Sequence, residues 1–147
     1  MSEYFDTPVI VFACANAGTL GQLARQLIAA TPEPVTTPHA LAESFNTLTY
    51  RLGIPPQEAR RMIRENTARF QFVTMEAGDY NAAIDRVVDN GATGDKVYDV
   101  LHLSAAEKAK AAKLHTSNKR DFTPFKPAVQ VVKMPGSEHV PHQPAAA

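Results

Sequence analysis

The feature that most constrains this chain's fold is the alternation of helix-like and strand-like segments along it. Apolar residues three and four positions apart, as in an amphipathic helix, recur in stretches separated by short extended segments. Parallel strands need long crossover connections, and a helix is the usual one. The alternation therefore predicts an α/β layered fold with a mainly parallel sheet.

The breaks between these segments fall at proline, glycine and asparagine residues. Predicted helices cover residues 20–30, 38–52, 56–69, 77–88 and 96–111. Predicted strands cover residues 34–37, 71–74, 113–116 and 129–132, with a polar loop at 117–120. In the helix at 38–52, Leu41, Phe45, Leu48 and Leu52 share one apolar stripe.

Length and charge set the class of protein. The 147 residues fit one domain, predicted to span residues 1–133, and the Pro-, Ala- and His-rich stretch 134–147 predicts a disordered tail. Fifteen basic residues balance fifteen acidic ones. Overall charge therefore cannot hold a nucleic acid, and phosphate binding would need a local patch or a metal.

The single cysteine, Cys14, lies in the apolar run 9–15, which favours a small, inert, buried thiol in a reducing cytoplasm. That run is too short to span a bilayer. The residues before it are acidic, whereas a signal peptide needs positive charge there. We therefore expect a soluble cytoplasmic protein with no targeting segment and no membrane partner.

Four segments carry acidic or amide side chains beside apolar residues. They read DTPVIV at 6–11, LAESF at 41–45, VYDVLH at 97–102 and TSNKRDF at 116–122. In order and separation they resemble the PIN-domain family, the fold of the VapC-like toxin ribonucleases of prokaryotic toxin–antitoxin pairs, over residues 3 to about 133. The resemblance implies a three-layer α/β/α fold in which acidic residues gather at the carboxyl edge of the parallel sheet.

The same resemblance implies a site and its partners. The catalytic set would be Asp6, Glu43 and Asp99, with Asn118, Asp121 or both at a fourth position. Asp6 and Asp99 would hold Mg²⁺ or Mn²⁺, which prefer hard oxygen ligands and keep several waters. The substrate would be RNA, hydrolysed by an activated water. A cognate antitoxin would silence the site, and the protein would form a homodimer.

Two departures from the family pattern concern the first segment. Pro8 stands where the family usually has Asn, so a side-chain hydrogen-bonding group is lost beside the expected metal. The first strand shrinks to about residues 3–5, and residues 9–15 become helix although their β-branched composition favours a strand. We follow the resemblance here, because Asp6 can cap a helix whose first turn holds Pro8.

Each candidate acid also has an ordinary structural role open to it. Asp6 can be only a helix cap, and Asp99 only a first-turn acid favoured by the helix dipole. Glu43 shares the polar face of its helix and can face water, and Asp121 can be only a turn residue. Asp99 has support in its helical geometry, since it shares a face with His102 and Ala106.

Other polar residues stay outside the predicted catalytic set. His102 can carry a proton or contact phosphate, but a hydrogen-bonded helical histidine is commoner. The helical arginines Arg60, Arg61 and Arg64 can steer RNA or contact a protein, but a solvated face is the better default. His139 and His142 in the tail are weak metal-ligand candidates.

Three functions remain after this reading. The favoured one is a metal-dependent ribonuclease. The second is a PIN-like module that binds RNA or protein through a partly degenerate, inactive site, as Pro8 and the ambiguous fourth acid suggest. The third is a metal-dependent hydrolase of another substrate, because fold does not fix function.

Overall fold

The computed structural model describes residues 1–135 and contains one five-stranded sheet with the strand order β3-β2-β1-β4-β5. The strands are β1 (Glu3–Phe5), β2 (Pro34–Thr36), β3 (Gln71–Phe72), β4 (Lys113–Thr116) and β5 (Gln130–Lys133). Every neighbouring pair runs parallel. The predicted α/β fold with a mainly parallel sheet is confirmed.

Six α-helices connect the strands within the described residues. They are α1 (Thr7–Ala15), α2 (Thr19–Ala30), α3 (Pro38–Asn46), α4 (Pro56–Asn66), α5 (Ala77–Asp89) and α6 (Val97–Lys108). A π-helical turn, Thr47–Arg51, continues α3, and 3₁₀ turns lie at Gly94–Lys96, Lys119–Asp121 and Thr123–Phe125.

The two faces of the sheet are covered by different helices, as expected of a three-layer fold. Successive strand residues point to opposite faces. Accordingly, Tyr4 and Leu114 lie in a core shared with residues of α5 and α6. Phe5 instead lies in a core with residues of α1 and α2. A third cluster joins α1, α4 and the π-helical turn through Val11, Ile63 and Leu48.

Helix α1 forms where β-branched composition alone favours a strand. Asp6, in extended conformation, caps it by accepting a hydrogen bond from the Thr7 backbone N–H at 2.9 Å, and Pro8 lies in the first turn. The helix is apolar on all sides because other helices surround it, and Val9, Ile10 and Val11 are buried. The expectation taken from the resemblance is confirmed against local propensity.

The predicted apolar stripe at 38–52 is wrong as a description of the buried face. Phe45 is 41% and Leu52 44% exposed, whereas the buried residues are Ala40, Ser44 and Leu48. On this inner face, Ala40 lies in the core cluster with Val9 and Ile10 of α1. Leu41 and Phe45 instead line an apolar groove against α4.

Several predicted boundaries move inward. The helix predicted to reach residue 69 ends at Asn66, and β3 covers Gln71–Phe72 of the predicted 71–74. Helix α6 ends at Lys108 rather than 111, because Lys110 takes a left-handed φ of 55°. The predicted loop 117–120 runs into the 3₁₀ turn Lys119–Asp121.

The structure also bears on the expectations for Cys14, for membrane-spanning helices and for the predicted tail. Cys14 is half-buried, and burial raises the pKa of its thiol to about 12 despite the neighbouring Asn66 side chain. Within the described part of the chain, no single helix has the length and apolarity to cross a membrane. Helices α1 and α2 meet those criteria only together, with a 115° bend between them. Most of the predicted tail, with His139 and His142, lies outside the described residues. Met134, the first residue of that predicted tail, is instead fully buried, and its backbone N–H donates to the Thr116 carbonyl oxygen at 2.8 Å. The boundary predicted after residue 133 is therefore wrong at Met134, because this side chain packs in the core with Phe5 and Val9.

Candidate active site

The site lies where the direction of chain progression across the sheet reverses. From central β1 the chain first builds β2 and β3 on one side, and β4 and β5 later fill the other side. In open α/β sheets such a switch point leaves a crevice at the carboxyl ends of the strands. Asp6 directly follows β1 and Thr116 ends β4, so both stand at this crevice.

Asp6 is held in place by two hydrogen bonds. Its Oδ2 accepts from the Thr116 hydroxyl at 2.9 Å, and its Oδ1 accepts from the Thr7 backbone N–H at 2.9 Å. The residue is only 6% exposed. Burial and the Glu43 charge raise the pKa of the Asp6 carboxyl, against lowering contributions from His102 and Thr116.

His102, on α6, lies at the centre of the site and contacts Tyr4 of β1 and Glu43 of α3. Its Nδ1 is 2.6 Å from the Tyr4 hydroxyl, and its Nε2 is 2.6 Å from Glu43 Oε1. The Asp6 Oδ1 is 3.7 Å from the same Nε2. Burial alone would lower the pKa of this imidazole, but Tyr4, Asp6 and Glu43 together raise it well above the ordinary value.

Glu43 is the partner that His102 stabilises as a carboxylate. Burial would raise its pKa, but the hydrogen bond and charge of His102, and the Thr7 hydroxyl donating at 2.8 Å, lower it. An ionised carboxylate only accepts hydrogen bonds, so His102 Nε2 donates to it. This face of α3 points into the site and not to bulk water.

Asp99 lies in the first turn of α6 and is partly buried. Burial and the nearby charges of Asp6 and Asp121 raise its pKa to about 7, although Lys96 and His102 oppose the shift. The negative charges of both Asp6 and Asp121 therefore act on Asp99. Converging acids of this kind favour either a shared proton or a bound cation.

The two candidates for the fourth position have different surroundings. The Asn118 side chain caps the following 3₁₀ turn by accepting from the Arg120 backbone N–H at 3.2 Å, and the Asn118 backbone N–H donates to Thr116 Oγ1 at 3.2 Å. The Asp121 carboxylate lies 3.5 Å from Lys96 Nζ and is coupled to Asp99 by charge. The geometry gives Asn118 a role in shaping the loop and Asp121 a charge at the site.

The donor set fits a hard divalent cation that keeps most of its waters. Asp6 and Asp99 would supply carboxylate oxygens, and burial together with the charges of Asp6 and Asp121 makes the ionised form of Asp99 costly without a cation. Across residues 1–135, no three His, Cys, Asp or Glu side chains come together as a metal cage. The residues therefore suit a cation held by two acids and water rather than by protein ligands alone.

The structure gives His102 a part that the sequence reasoning withheld. Its position three residues after Asp99 was the available signal, since residues three apart share a helix face. Its partner Tyr4 lies 98 residues away in the sequence, so spacing could not reveal their hydrogen bond. Helix α6 is also buried on nearly all sides, which the predicted amphipathic pattern did not anticipate.

The helical arginines divide into two groups. Arg61 pairs with Glu58 and Glu65 on its own helix, as expected of a solvated face. Arg60 and Arg64 line the groove between α3 and α4, a hollow of about 600 Å³ with mostly apolar walls. This groove, which also contains Leu41 and Phe45, is a surface that the sequence did not reveal.

Comparison with known proteins places this geometry in a family. A family model described as PIN domain matches residues 4–125. No curated protein matches the sequence. Among solved structures, Mycobacterium tuberculosis VapC20, a toxin that cleaves the Sarcin-Ricin loop, is similar with a TM-score of 0.65 and 18% identity, covering 81% of this chain and 92% of that one.

Two further solved structures share the fold. VapBC2 from Rickettsia felis, bound to a promoter DNA fragment, has a TM-score of 0.66 and 17% identity over 90% of this chain and 98% of its own. VapBC-1 from nontypeable Haemophilus influenzae has a TM-score of 0.64 and 17% identity over 91% and 98%. With the family match spanning most of its sequence, the chain belongs to the PIN domain family.

Proposed function

We propose that this protein is a VapC-like endoribonuclease that hydrolyses RNA phosphodiester bonds with Mg²⁺ or Mn²⁺. The observation that carries the proposal is the partly buried Asp99 carboxyl at the switch point, whose pKa is raised to about 7 by burial and by the charges of Asp6 and Asp121. Glu43 is linked to this site by hydrogen bonds with the Thr7 hydroxyl and with His102 Nε2. The fold similarity to VapC20 supports the choice of RNA as substrate.

Asp6 and Asp99 are the residues that would hold the cation. Thr116 and the Thr7 N–H fix the orientation of Asp6, so its ligand position is set before metal binds. With the cation bound, the chemistry supplied is charge relief on the phosphate and activation of the attacking water. Asp121 adds negative charge near Asp99, and Asn118 shapes the loop that carries Asp121.

Glu43 and His102 form the proton-handling part of the proposal. The Glu43 carboxylate stays ionised beside His102 and the Thr7 hydroxyl, so it is able to accept a proton from a nearby water. His102 fixes the direction of that carboxylate from a buried position. Thr7 supplies a hydroxyl in the first motif, immediately before Pro8.

Cleavage with substituted proteins tests the activity. Purified protein freed of any co-purifying partner should cleave RNA with Mn²⁺ and stop when EDTA is added. Asp6→Asn and Asp99→Asn should each lower the rate at least about 100-fold, while Asp85→Asn on exposed α5 should not. Normal cleavage by Asp99→Asn would overturn the assignment.

A binding module with an inactive site is the second candidate. It is favoured because Asp6 and Glu43 already form hydrogen bonds with other side chains of the protein. Asn118, one of the two candidates for the fourth position, also carries an amide in place of an acid. The two functions differ in linkage, since a ligand that binds only the folded state raises the melting temperature. Mn²⁺ should raise it for the wild type and raise it less for Asp99→Asn; equal or absent shifts favour the module.

We also propose an antitoxin partner, a homodimer and a cytoplasmic location. The groove between α3 and α4 supports the first, because Phe45 and Ile63 offer apolar surface and Arg60 and Arg64 offer positive charge for an acidic apolar segment. The VapBC structures with the same fold are consistent with it. Exposed Tyr80, Ile84 and Val88 on α5 support a dimer face. Light scattering of the wild type and of Ile84→Asp tests the proposed homodimer.

A further inference from the structure

We propose that His39 and Tyr98 form an aromatic platform that stacks an unpaired base of the RNA substrate beside the acidic site and so positions the nucleotide that is cleaved. The inference rests on the proposed ribonuclease function and deepens it. The two residues are positioning residues: they hold the base while the acids act on the phosphate.

His39 and Tyr98 lie next to two of the acids of the site. His39 lies one helical turn before Glu43 on α3, with its Nε2 3.7 Å from Glu43 Oε2. Tyr98 directly precedes Asp99 on α6. The two rings are nearly parallel, 6° apart in plane, with centroids 6.1 Å apart. The platform therefore bridges the two helices that carry Glu43 and Asp99.

The two aromatic side chains are more exposed than the polar side chains of the site. Tyr98 is 53% exposed and the His39 side chain 38%, whereas the side chains of His102 and Asp6 below them are 4% and 8% exposed. The His39 ring centroid is only 6.4 Å from that of His102. Accessible aromatic surface thus lies directly above buried polar groups, where a bound nucleotide would arrive.

The charges of the protein do not provide a contact for the base. The chain has no net charge, and the cation proposed at Asp6 and Asp99 would contact the phosphate and not the base. Stacking on aromatic rings adds a contact that any base can make. A paired base has both faces covered by its neighbours, so stacking selects an unpaired nucleotide.

The test compares steady-state cleavage of one labelled RNA, single-stranded or annealed to its complement, with Mn²⁺. Tyr98→Ala and His39→Ala should each raise KM for the single strand roughly tenfold with little change in kcat. Tyr98→Phe and His39→Phe keep a stacking ring and should retain near wild-type KM. Tyr50→Ala, which removes a 73% exposed tyrosine two turns beyond Glu43, is the matched control.

Binding without turnover separates the two proposals. In an Asp99→Asn background, fluorescence anisotropy should show weaker single-strand binding when Tyr98 or His39 becomes Ala. A loss of kcat that His39→Phe fails to restore would make His39 a proton carrier and overturn the platform. Unchanged KM and affinity in both Ala variants would overturn it as well. Wild-type protein that binds RNA but never cleaves it would overturn the ribonuclease alone.

Discussion

At the scale of single residues, the site combines acids with contrasting protonation. Glu43 is stabilised as a carboxylate by His102, while the carboxyl of Asp99 is pushed toward its protonated form. Sequence motifs and family resemblance identified which acids to consider. They could not reveal these differences, because each depends on burial and on neighbours distant in the chain, such as Thr116 beside Asp6.

The raised pKa of Asp99 predicts a pH-dependent cost to stability in metal-free protein. A carboxyl with a higher pKa folded than unfolded contributes stability at low pH, and that stability is lost as pH rises from about 4 toward the folded value of about 7. In EDTA at pH 8, Asp99→Asn should therefore increase the free energy of unfolding by roughly 1–2 kcal/mol, discounted because the residue is partly exposed.

Urea unfolding at pH 4 and pH 8 measures this effect. The gain from Asp99→Asn should be near zero at pH 4, where the wild-type carboxyl is mostly protonated in the folded state. Asp85→Asn, on the exposed surface of α5, should show no such pH dependence. A constant gain at both pH values would contradict the assigned cause.

Cys14 gives a second prediction at this scale. Burial raises the pKa of its thiol to about 12, so at pH 8 very little of the reactive thiolate exists in folded protein. Reaction with a disulfide reagent should be at least about 100-fold slower in native protein than in urea. Rapid native labelling, followed by absorbance, would contradict this environment for the thiol.

At the scale of elements, the accuracy of sequence prediction depended on what determines each segment. Strand β4 was predicted with its observed bounds, since residues 113–116 form a short extended segment beside a polar loop. Helix α1 required the family resemblance, because tertiary burial overrides the strand propensity of Val9–Val11. The stripe on α3 misled because the face that the fold buries carries the small residues Ala40 and Ser44, of which Ala40 packs against Val9 of α1.

The approach of α2 to the end of α1 yields a prediction about two glycines. A Cβ added at Gly21 would lie 1.8 Å from the Asn16 carbonyl oxygen, whereas one at Gly78 on α5 would meet nothing within 4 Å. Gly21→Ala should therefore lower the free energy of unfolding by about 2 kcal/mol or more. Gly78→Ala should raise it by about 0.5–1 kcal/mol, as helix propensity predicts.

Thermal and urea denaturation of the two variants provide the comparison, each serving as the other's control. The substitutions are chemically identical and both lie in the first turns of helices. Similar stabilities for the two would mean that the loop between α1 and α2 shifts freely to accept a methyl group.

At the scale of the whole molecule, the sheet joins distant parts of the chain. β1 pairs with β4 across more than a hundred residues, and Arg86 of α5 binds Glu107 of α6 and the Phe125 carbonyl oxygen. The sequence predicted the alternation of elements and the parallel sheet. The pairing across the switch point could be expected only from the family resemblance, since local patterns carry no strand order.

Removal of the last two strands tests this dependence. A chain ending at residue 111 lacks β4 and β5, so β1 loses a neighbouring strand and Asp6 loses Thr116. We expect no cooperative urea transition and no Mn²⁺-dependent stabilisation, measured by circular dichroism. A cooperative transition in the truncated chain would show that β1–β3 and their helices fold independently.

The hydrogen bond between Asp6 and Thr116, 110 positions apart, bears on when the protein can act during its own synthesis. A ribosome delivers Asp6 first and Thr116 only 110 residues later. Until then one wall of the crevice is absent. Any catalytic power that depends on this contact therefore arises only after both segments have been synthesised.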